Sequence, residues 1–177
     1  MGQSPGSAPS PDAPSGDIQS LVADLASRDG RVRVAAREAL VDIGRPAVDS
    51  LVGTLADSRT QLRWEAAKAL GDIADPAAAG ALALALDDKV FDVRWLAAEG
   101  LIAIGREALV PVLRIVISCA DSPLCRSATH HVLHDLAQRD DDLKETLAPV
   151  LAALDGTAPS VEVPLAAETA IAALAGG

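Results

Sequence analysis

The chain has 177 residues, half of them hydrophobic, and its aromatic residues are Trp64, Trp95 and Phe91. A chain of this length suits one domain or one stack of repeats, and an interior made of alanine, leucine, valine and isoleucine favours close-packed helices. The formal net charge of −10 argues against a nucleic-acid-binding protein, because such binding depends on neutralising phosphates with lysine and arginine.

Residues 1–16 are rich in proline, serine, glycine and alanine. We predict a disordered tail there, since this segment cannot bury enough apolar surface to fold. The segment lacks the basic start and apolar run of a secretory signal, and no later stretch approaches the length of a membrane-spanning helix. The sequence therefore predicts a cytoplasmic protein, not associated with a membrane, whose folded domain spans 17–177.

Three segments superimpose without gaps and indicate internal repeats. They are VRVAAREALVDIG at 32–44, LRWEAAKALGDIA at 62–74 and VRWLAAEGLIAIG at 93–105. A fourth copy, CRSATHHVLHDLA at 125–137, keeps the arginine as Arg126. A fifth, VPLAAETAIAALA at 163–175, has Pro164 in its place. We expect the fifth copy to be a divergent end repeat.

Segments with apolar residues four apart precede each copy and predict a partner helix for it. These pairs are Leu21/Leu25, Leu51/Leu55, Leu82/Leu86, Val112/Val116 and Val150/Leu154. Glycine, proline and aspartate mark the turns between helices. The sequence thus predicts about five helix–turn–helix repeats, which bury their apolar faces jointly with their neighbours.

The pattern VR-x-x-A-x-x-[AG]L-x-x-IG resembles the HEAT-like repeats of phycobilisome lyases. Its arginines, at positions 33, 63, 94 and 126, lie 30, 31 and 32 residues apart. The resemblance covers roughly residues 17–177 and implies an all-α, right-handed superhelical solenoid in which the helices with this pattern line the concave side. It also implies that each arginine pairs with a loop acid, for which Asp57, Asp88 and Asp121 are the local counterparts.

Positions that point away from the buried face recur in every copy, and we predict that they line the concave surface and bind a partner. They are Val34, Glu38, Val41, Trp64, Lys68, Trp95, Glu99, Ile102, His131 and His134. Trp64 and Trp95 follow the arginine in consecutive repeats, so we expect them side by side, about 8–10 Å apart. Exposed tryptophans are typical of contact surfaces. The alternative is that they only cover the alanine-rich core.

The other reactive side chains lie in the fourth repeat. His130 and His134 have a spacing that can bring two imidazoles to one metal ion, but the further ligands would lie on the same helix, so a polar helix face is favoured. Cys119 and Cys125 flank the loop before this copy. We expect two free thiols, with Cys125 buried and Cys119 near the surface. A redox disulfide or a Cys/His metal site is the alternative.

These features favour a non-catalytic scaffold that binds a partner protein or peptide without a cofactor. Resemblance suggests two enzymatic alternatives, a phycobilin-lyase-like chromophore-handling subunit and a metal oxidoreductase like deoxyhypusine hydroxylase. The latter binds metal through His-Glu pairs, and no His-Glu dipeptide occurs here. No histidine, cysteine and aspartate set converges from separate repeats as a nucleophilic site requires. The sequence is compatible with a monomer, although Leu165 and Ala172 on the last helix could instead stack on another chain.

Overall fold

Ten α-helices make up the part of the chain that the computed structural model describes, residues 15–176. They are α1 Ser15–Asp24, α2 Gly30–Ile43, α3 Val48–Leu55, α4 Thr60–Ile73, α5 Ala79–Ala85, α6 Phe91–Ile104, α7 Leu109–Ser118, α8 Pro123–Arg139, α9 Asp141–Leu154 and α10 Pro159–Gly176. The all-α prediction is confirmed. The predicted tail lies outside the described residues, apart from Ser15 and Gly16 at the start of α1.

The helices stack in two rows. Each of the first four pairs packs together, as α1 with α2, α3 with α4, α5 with α6, and α7 with α8. Helices α1, α3, α5 and α7 also pack in order on one another and form the first row, while α2, α4, α6 and α8 form the second row. This is the predicted solenoid, in which each pair completes its core only against its neighbours.

The predicted interior positions form that core. Leu40, Leu70 and Leu101 are fully buried near the C-terminal ends of α2, α4 and α6. The alanines one turn earlier, Ala36 and Ala66, are exposed by 3% or less, so the small side chains let the helices approach while the leucines fill the space between them.

Short 3₁₀ turns carry the chain from the second row back to the first. They span Arg45–Ala47, Pro76–Ala78 and Gly105–Ala108. A residue with positive φ stands at the start of each turn, namely Gly44 (70°), Ala74 (51°) and Gly105 (83°). Glycine adopts this conformation without steric cost, whereas Ala74 does so at a cost of roughly 1–2 kcal/mol.

The fifth pair departs from this order. Only Asp140 separates α8 from α9, and its side chain accepts hydrogen bonds from the backbone N–H groups of Asp142 and Leu143, so α9 begins at once. Without a crossing turn, α9 packs against α8, and α10 then packs against α7 and α9. The interpretation of 163–175 as a second-row copy is therefore wrong, because α10 extends the first row.

The repeated arginines form hydrogen bonds that hold the preceding loop against each second-row helix. In each of the four copies that have the arginine, its guanidinium Nη1 donates to the backbone carbonyl oxygen six residues earlier. The pairs are Arg33 with Ser27 (2.8 Å), Arg63 with Asp57 (3.0 Å), Arg94 with Asp88 (2.7 Å) and Arg126 with Ala120 (2.7 Å). This bond joins the two helices of each pair and explains why the arginine recurs.

Of the three loop acids expected to pair with a repeat arginine, Asp88 does so. Arg63 contacts Asp88 through two bonds, Nε to Oδ2 at 2.6 Å and Nη2 to Oδ1 at 3.1 Å. Arg33 instead donates to Glu65, because Asp57 is held by Arg59 two residues away. Hydrogen bonds from the side chain and backbone of Arg59 lower the pKa of Asp57 to about 2.

The third loop acid, Asp121, pairs with no arginine among the described residues. Asp121 accepts a hydrogen bond from the Ser160 hydroxyl group. Arg94 makes its backbone bond but has no carboxylate within salt-bridge distance in the region from 18 to 176. The expectation that Asp121 pairs with a repeat arginine is therefore wrong.

Cys119 and Cys125 form a disulfide, so the expectation of two free thiols is also wrong. Their Cα atoms are 6.2 Å apart, within the range that a disulfide spans. Between the two cysteines, Ser122 caps α8, and its hydroxyl oxygen accepts a hydrogen bond from the N–H of Cys125. Cys125 is fully buried as predicted.

Candidate functional site

The two tryptophans lie on neighbouring second-row helices, α4 and α6, and line one shallow depression of about 400 Å³ with Phe91. Trp95 is 47% exposed. Trp64 is half-buried, and the guanidinium carbon of Arg37 lies 5.6 Å from its ring centroid, in cation–π range. The two indoles therefore line the same depression, on consecutive second-row helices.

Two further rings extend this surface. The Phe91 and Trp95 ring centroids are 6.3 Å apart, and the Trp95 ring stacks on His131 of α8 at 4.9 Å. His131 Nε2 in turn lies 3.0 Å from Glu99 Oε1. We call Trp64, Phe91, Trp95 and His131 the aromatic track. It crosses α4, α6 and α8 on the second row.

Phe91 is the residue that sequence reasoning missed. It is 64% exposed at the first turn of α6. Its spacing of four residues from Trp95 is the signal that could have identified it, because side chains four apart meet on one helix face.

The track borders a cavity between α6 and α8, which we call the α6–α8 pocket. Its volume is about 170 Å³. Its walls are Phe91, Arg94, Trp95, Ala98, Leu124, Ser127, Ala128 and His131. An apolar cavity of about 150 Å³ can hold a benzene molecule, so this pocket has room for one ring or one branched aliphatic side chain.

Most of the other predicted site residues are also accessible. Val34 is 40% exposed and lines a depression with Trp64 between α2 and α4. Lys68 and Glu99 line the next depression along α4 and α6, where Lys68 Nζ bonds to an Asp72 carboxylate oxygen at 2.5 Å. Glu38 and His134 are exposed as well, and Val41 is half-buried against the core.

Ile102 does not belong to this surface. It is only 6% exposed, so the prediction that it faces outward is wrong. Helix α8 has 17 residues, against 14 in α6, and its last turn reaches the end of α6, where Arg139 Nη1 donates to the Ile102 carbonyl oxygen at 3.3 Å. The longer helix packs over a position that is half-buried in the first repeat.

The histidines divide between two faces of α8. The rings of His130 and His134 stack with centroids 5.8 Å apart, and His130 Nε2 lies 3.4 Å from Asp155 Oδ2. Across the described part of the chain, no three His, Cys, Asp or Glu side chains group together as a metal site would require. His131 joins the aromatic track instead.

The charges near the track are mostly acidic or already paired. Glu65 is 2% exposed and binds the guanidinium groups of Arg33 (3.1 Å) and Arg37 (2.5 Å). Asp92 and Glu99 are exposed beside Trp95. The track thus combines apolar rings with an acidic border, while Arg94 brings a cation without a carboxylate partner to one end.

Comparison with known protein families identifies the type of repeat in this stack. A family model of HEAT repeats matches residues 18–102. No curated protein matches the chain.

Among the helices of the described region, none is both long and apolar enough to cross a membrane.

Several solved structures are similar in fold. The complex of CpcE and CpcF of phycocyanin lyase from Nostoc sp. PCC7120 aligns with a TM-score of 0.56 and 24% identity, over 84% of this chain and 96% of that one. A designed armadillo repeat protein in complex with the peptide (KR)4 aligns with a TM-score of 0.46 and 22% identity, over 89% and 81%. An engineered protein aligns with a TM-score of 0.48 and 22% identity, over 92% of this chain and 81% of that one. Residues 18–102 thus match the HEAT-repeat family, and the same stacked helix pairs continue beyond this range to α10.

Proposed function

We propose that this chain is a non-catalytic interaction scaffold that binds an extended segment of a partner protein along the aromatic track. The observation that carries the proposal is the row of partly exposed rings on α4, α6 and α8. Large exposed apolar side chains grouped on one face are typical of contact surfaces, and tryptophan is enriched among the residues that dominate binding energy.

The dimensions of the surface favour an extended segment. Depressions of about 590, 400 and 170 Å³ follow one another between α2 and α4, beside Trp64 and Trp95, and between α6 and α8. Packed helices lie about 8–10 Å apart, and an extended chain advances about 3.3 Å per residue. One partner side chain in every two or three could therefore enter successive depressions.

The charge of the surface indicates what flanks those side chains. The chain carries a formal charge of −10, and Asp92, Glu99 and Glu38 are exposed along the second row. Complementary charge speeds encounter and discriminates between partners. We therefore expect apolar residues in the bound segment with lysine or arginine beside them.

Removing both indoles should abolish capture of the partner. We expect Trp64→Ala/Trp95→Ala to weaken binding by about 30-fold or more, because one hot-spot residue is worth about 2 kcal/mol. The measurement is a pull-down from native lysate, with quantitative mass spectrometry of the captured proteins.

The matched control is Leu84→Ala/Val161→Ala, which removes two exposed apolar side chains (66% and 74%) from first-row helices. This variant should capture the same proteins as the wild type, and both variants should retain the far-UV circular dichroism spectrum. Equal capture by all three proteins would move the binding surface away from the track. A collapse of the tryptophan variant's melting transition would make the indoles structural.

A further inference from the structure

Arg94 differs from the corresponding arginines in the two preceding repeats. Arg33 and Arg63 each bind a carboxylate supplied by the following repeat. The Asp88 carboxylate that pairs with Arg63 stands six residues before Arg94, and the residue six before Arg126 is Ala120. By sequence register, Ala120 therefore stands in the repeat after Arg94 at the position where Asp88 stands in the repeat after Arg63.

Arg94 is one of the residues that line the α6–α8 pocket. Its Nη1 is engaged by the Asp88 carbonyl oxygen, and its guanidinium carbon lies 5.7 Å from the Phe91 ring centroid. Its Nε and Nη2 donate to no protein oxygen in the region that the structure describes. Two neighbouring N–H groups of one guanidinium are the arrangement that binds a carboxylate through paired hydrogen bonds.

The nearby acids leave this position open to an anion. The Asp88 carboxylate is bound by Arg63, and Glu99 is bound to His131. Asp92 is exposed to solvent on the side of α6 that faces Trp64. The other residues that line the pocket are apolar, apart from Ser127 and His131, so the pocket combines one arginine with a space the size of one ring.

We propose that the α6–α8 pocket binds the C-terminal residue of the partner segment. Its aromatic or branched aliphatic side chain enters the cavity, and its terminal carboxylate pairs with Arg94. One C-terminal residue carries both groups on the same carbon atom, as a pocket of this size requires. This inference rests on the proposed function, because it assigns one end of the segment that occupies the track.

The first test uses N-acetylphenylalanine, which reproduces a C-terminal residue, titrated into the ¹⁵N-labelled protein. The chain has two tryptophans, hence two indole N–H signals, which a Trp64→Phe variant assigns. We expect a saturable shift of the Trp95 signal and binding at least about tenfold weaker for N-acetylphenylalaninamide, because the charged hydrogen bonds are lost. Equal binding of acid and amide, or no binding of either, would overturn the proposal.

Arg94→Gln should remove the preference for the acid, and Arg126→Gln is its matched control. Arg126 makes the same backbone bond in the next repeat but does not line the pocket. If both variants lost the preference for the acid over the amide, the preference would depend on the arginine's bond to the loop and not on a contact with the carboxylate. A peptide Ala-Ala-Ala-Phe should bind more tightly than N-acetylphenylalanine. Equal affinity would instead assign the pocket to a free small acid.

Failure of this proposal is distinguishable from failure of the proposed function. If acid and amide bind alike while the tryptophan variant still loses its partner, the track is a binding surface and only its C-terminal specificity is wrong. If the tryptophan variant keeps its partner, the scaffold surface lies elsewhere.

Discussion

Replacing Arg63 with alanine is expected to lower the free energy of unfolding by about 3–5 kcal/mol, because removing one partner of a buried ion pair leaves the other charge uncompensated. Arg63 is 7% exposed, and the side chain of its partner Asp88 is 11% exposed. The same guanidinium also binds the carbonyl oxygens of Asp57 and Ser58. Urea unfolding followed by circular dichroism measures the loss.

The control is Arg59→Ala, which removes an arginine whose side chain is 62% exposed from a pair with Asp57. Exposed pairs contribute about 0–1 kcal/mol, so this variant should remain close to the wild type. The double variant Arg63→Ala/Asp88→Ala should recover part of the loss, because it leaves no unpaired carboxylate. Equal losses for Arg59→Ala and Arg63→Ala would contradict the assignment.

The same pair gives the direction of the pH dependence. Burial raises the pKa of Asp88, but hydrogen bonds from the Arg63 side chain and the Val90 N–H lower it by more, so its pKa falls below the ordinary value. A carboxyl group with a lowered folded-state pKa stabilises the fold fully above its unfolded pKa of about 3.9, and this stabilisation is lost as pH falls through the folded value. Arg63→Ala should lose less stability than the wild type over that acidic range.

Gly100→Ala should destabilise the protein by about 1–2 kcal/mol, because overpacking costs about 1–3 kcal/mol and the better helix propensity of alanine returns at most about 1. A Cβ atom at Gly100 would lie 3.1 Å from the Gly71 Cα and 3.1 Å from Leu82 Cδ1. The Gly71 contact is with backbone, so α4 and α6 would have to move apart. Urea unfolding again measures the effect.

Gly80→Ala is the matched control within the same stack. Gly80 lies in α5, and a Cβ atom there meets nothing within 4 Å. This substitution should stabilise the protein by about 0.5–1 kcal/mol, since glycine is the poorer helix former. Effects of the same sign at both positions would show that the glycine contact does not set the distance between α4 and α6.

The glycine contact also connects the fold to the candidate site. Gly71 and Gly100 bring α4 and α6 close together, and Trp64 and Trp95 stand on these same two helices, lining one depression. A shift of either helix would change that depression. Gly100→Ala is thus expected to weaken partner capture as well as stability.

Most of the fold could be predicted because helical periodicity encodes it locally. Leu40, Leu70 and Leu101 recur in one register, and that register alone indicates a shared core. The placement of α9 beside α8, and of α10 in the first row, was not predicted because it depends on the absence of a turn signal after α8. Gln138-Arg139-Asp140 contains no glycine or proline, whereas a positive-φ residue and a 3₁₀ turn follow each earlier second-row helix.

The ionic contacts and the disulfide were less predictable, since they depend on distances between repeats. Asp57 occupies the position in its repeat that Asp88 occupies in the next one. However, Asp57 forms its ion pair with Arg59, and Arg33 forms one with Glu65. The thiol expectation rested on the cellular compartment, which carries no information about the distance between Cys119 and Cys125.

The site was partly accessible to sequence reasoning. Trp64 and Trp95 follow from the repeat register, and Phe91 follows from its spacing to Trp95. Ile102 could not be distinguished from Val41, because its burial depends on the greater length of α8. The lack of a carboxylate at Arg94 is visible only when Ala120 is aligned with Asp88 across loops of unequal length.

Photo-crosslinking from position 95 tests most directly whether the aromatic track is the surface that binds a partner. p-Benzoylphenylalanine in place of Trp95 should, on irradiation in native lysate, yield a covalent adduct with a protein that the wild type also captures. The same residue in place of Leu84, 66% exposed on the first row, should yield no such adduct. Adducts from position 84 alone, or the same adducts from both positions, would contradict binding along the track.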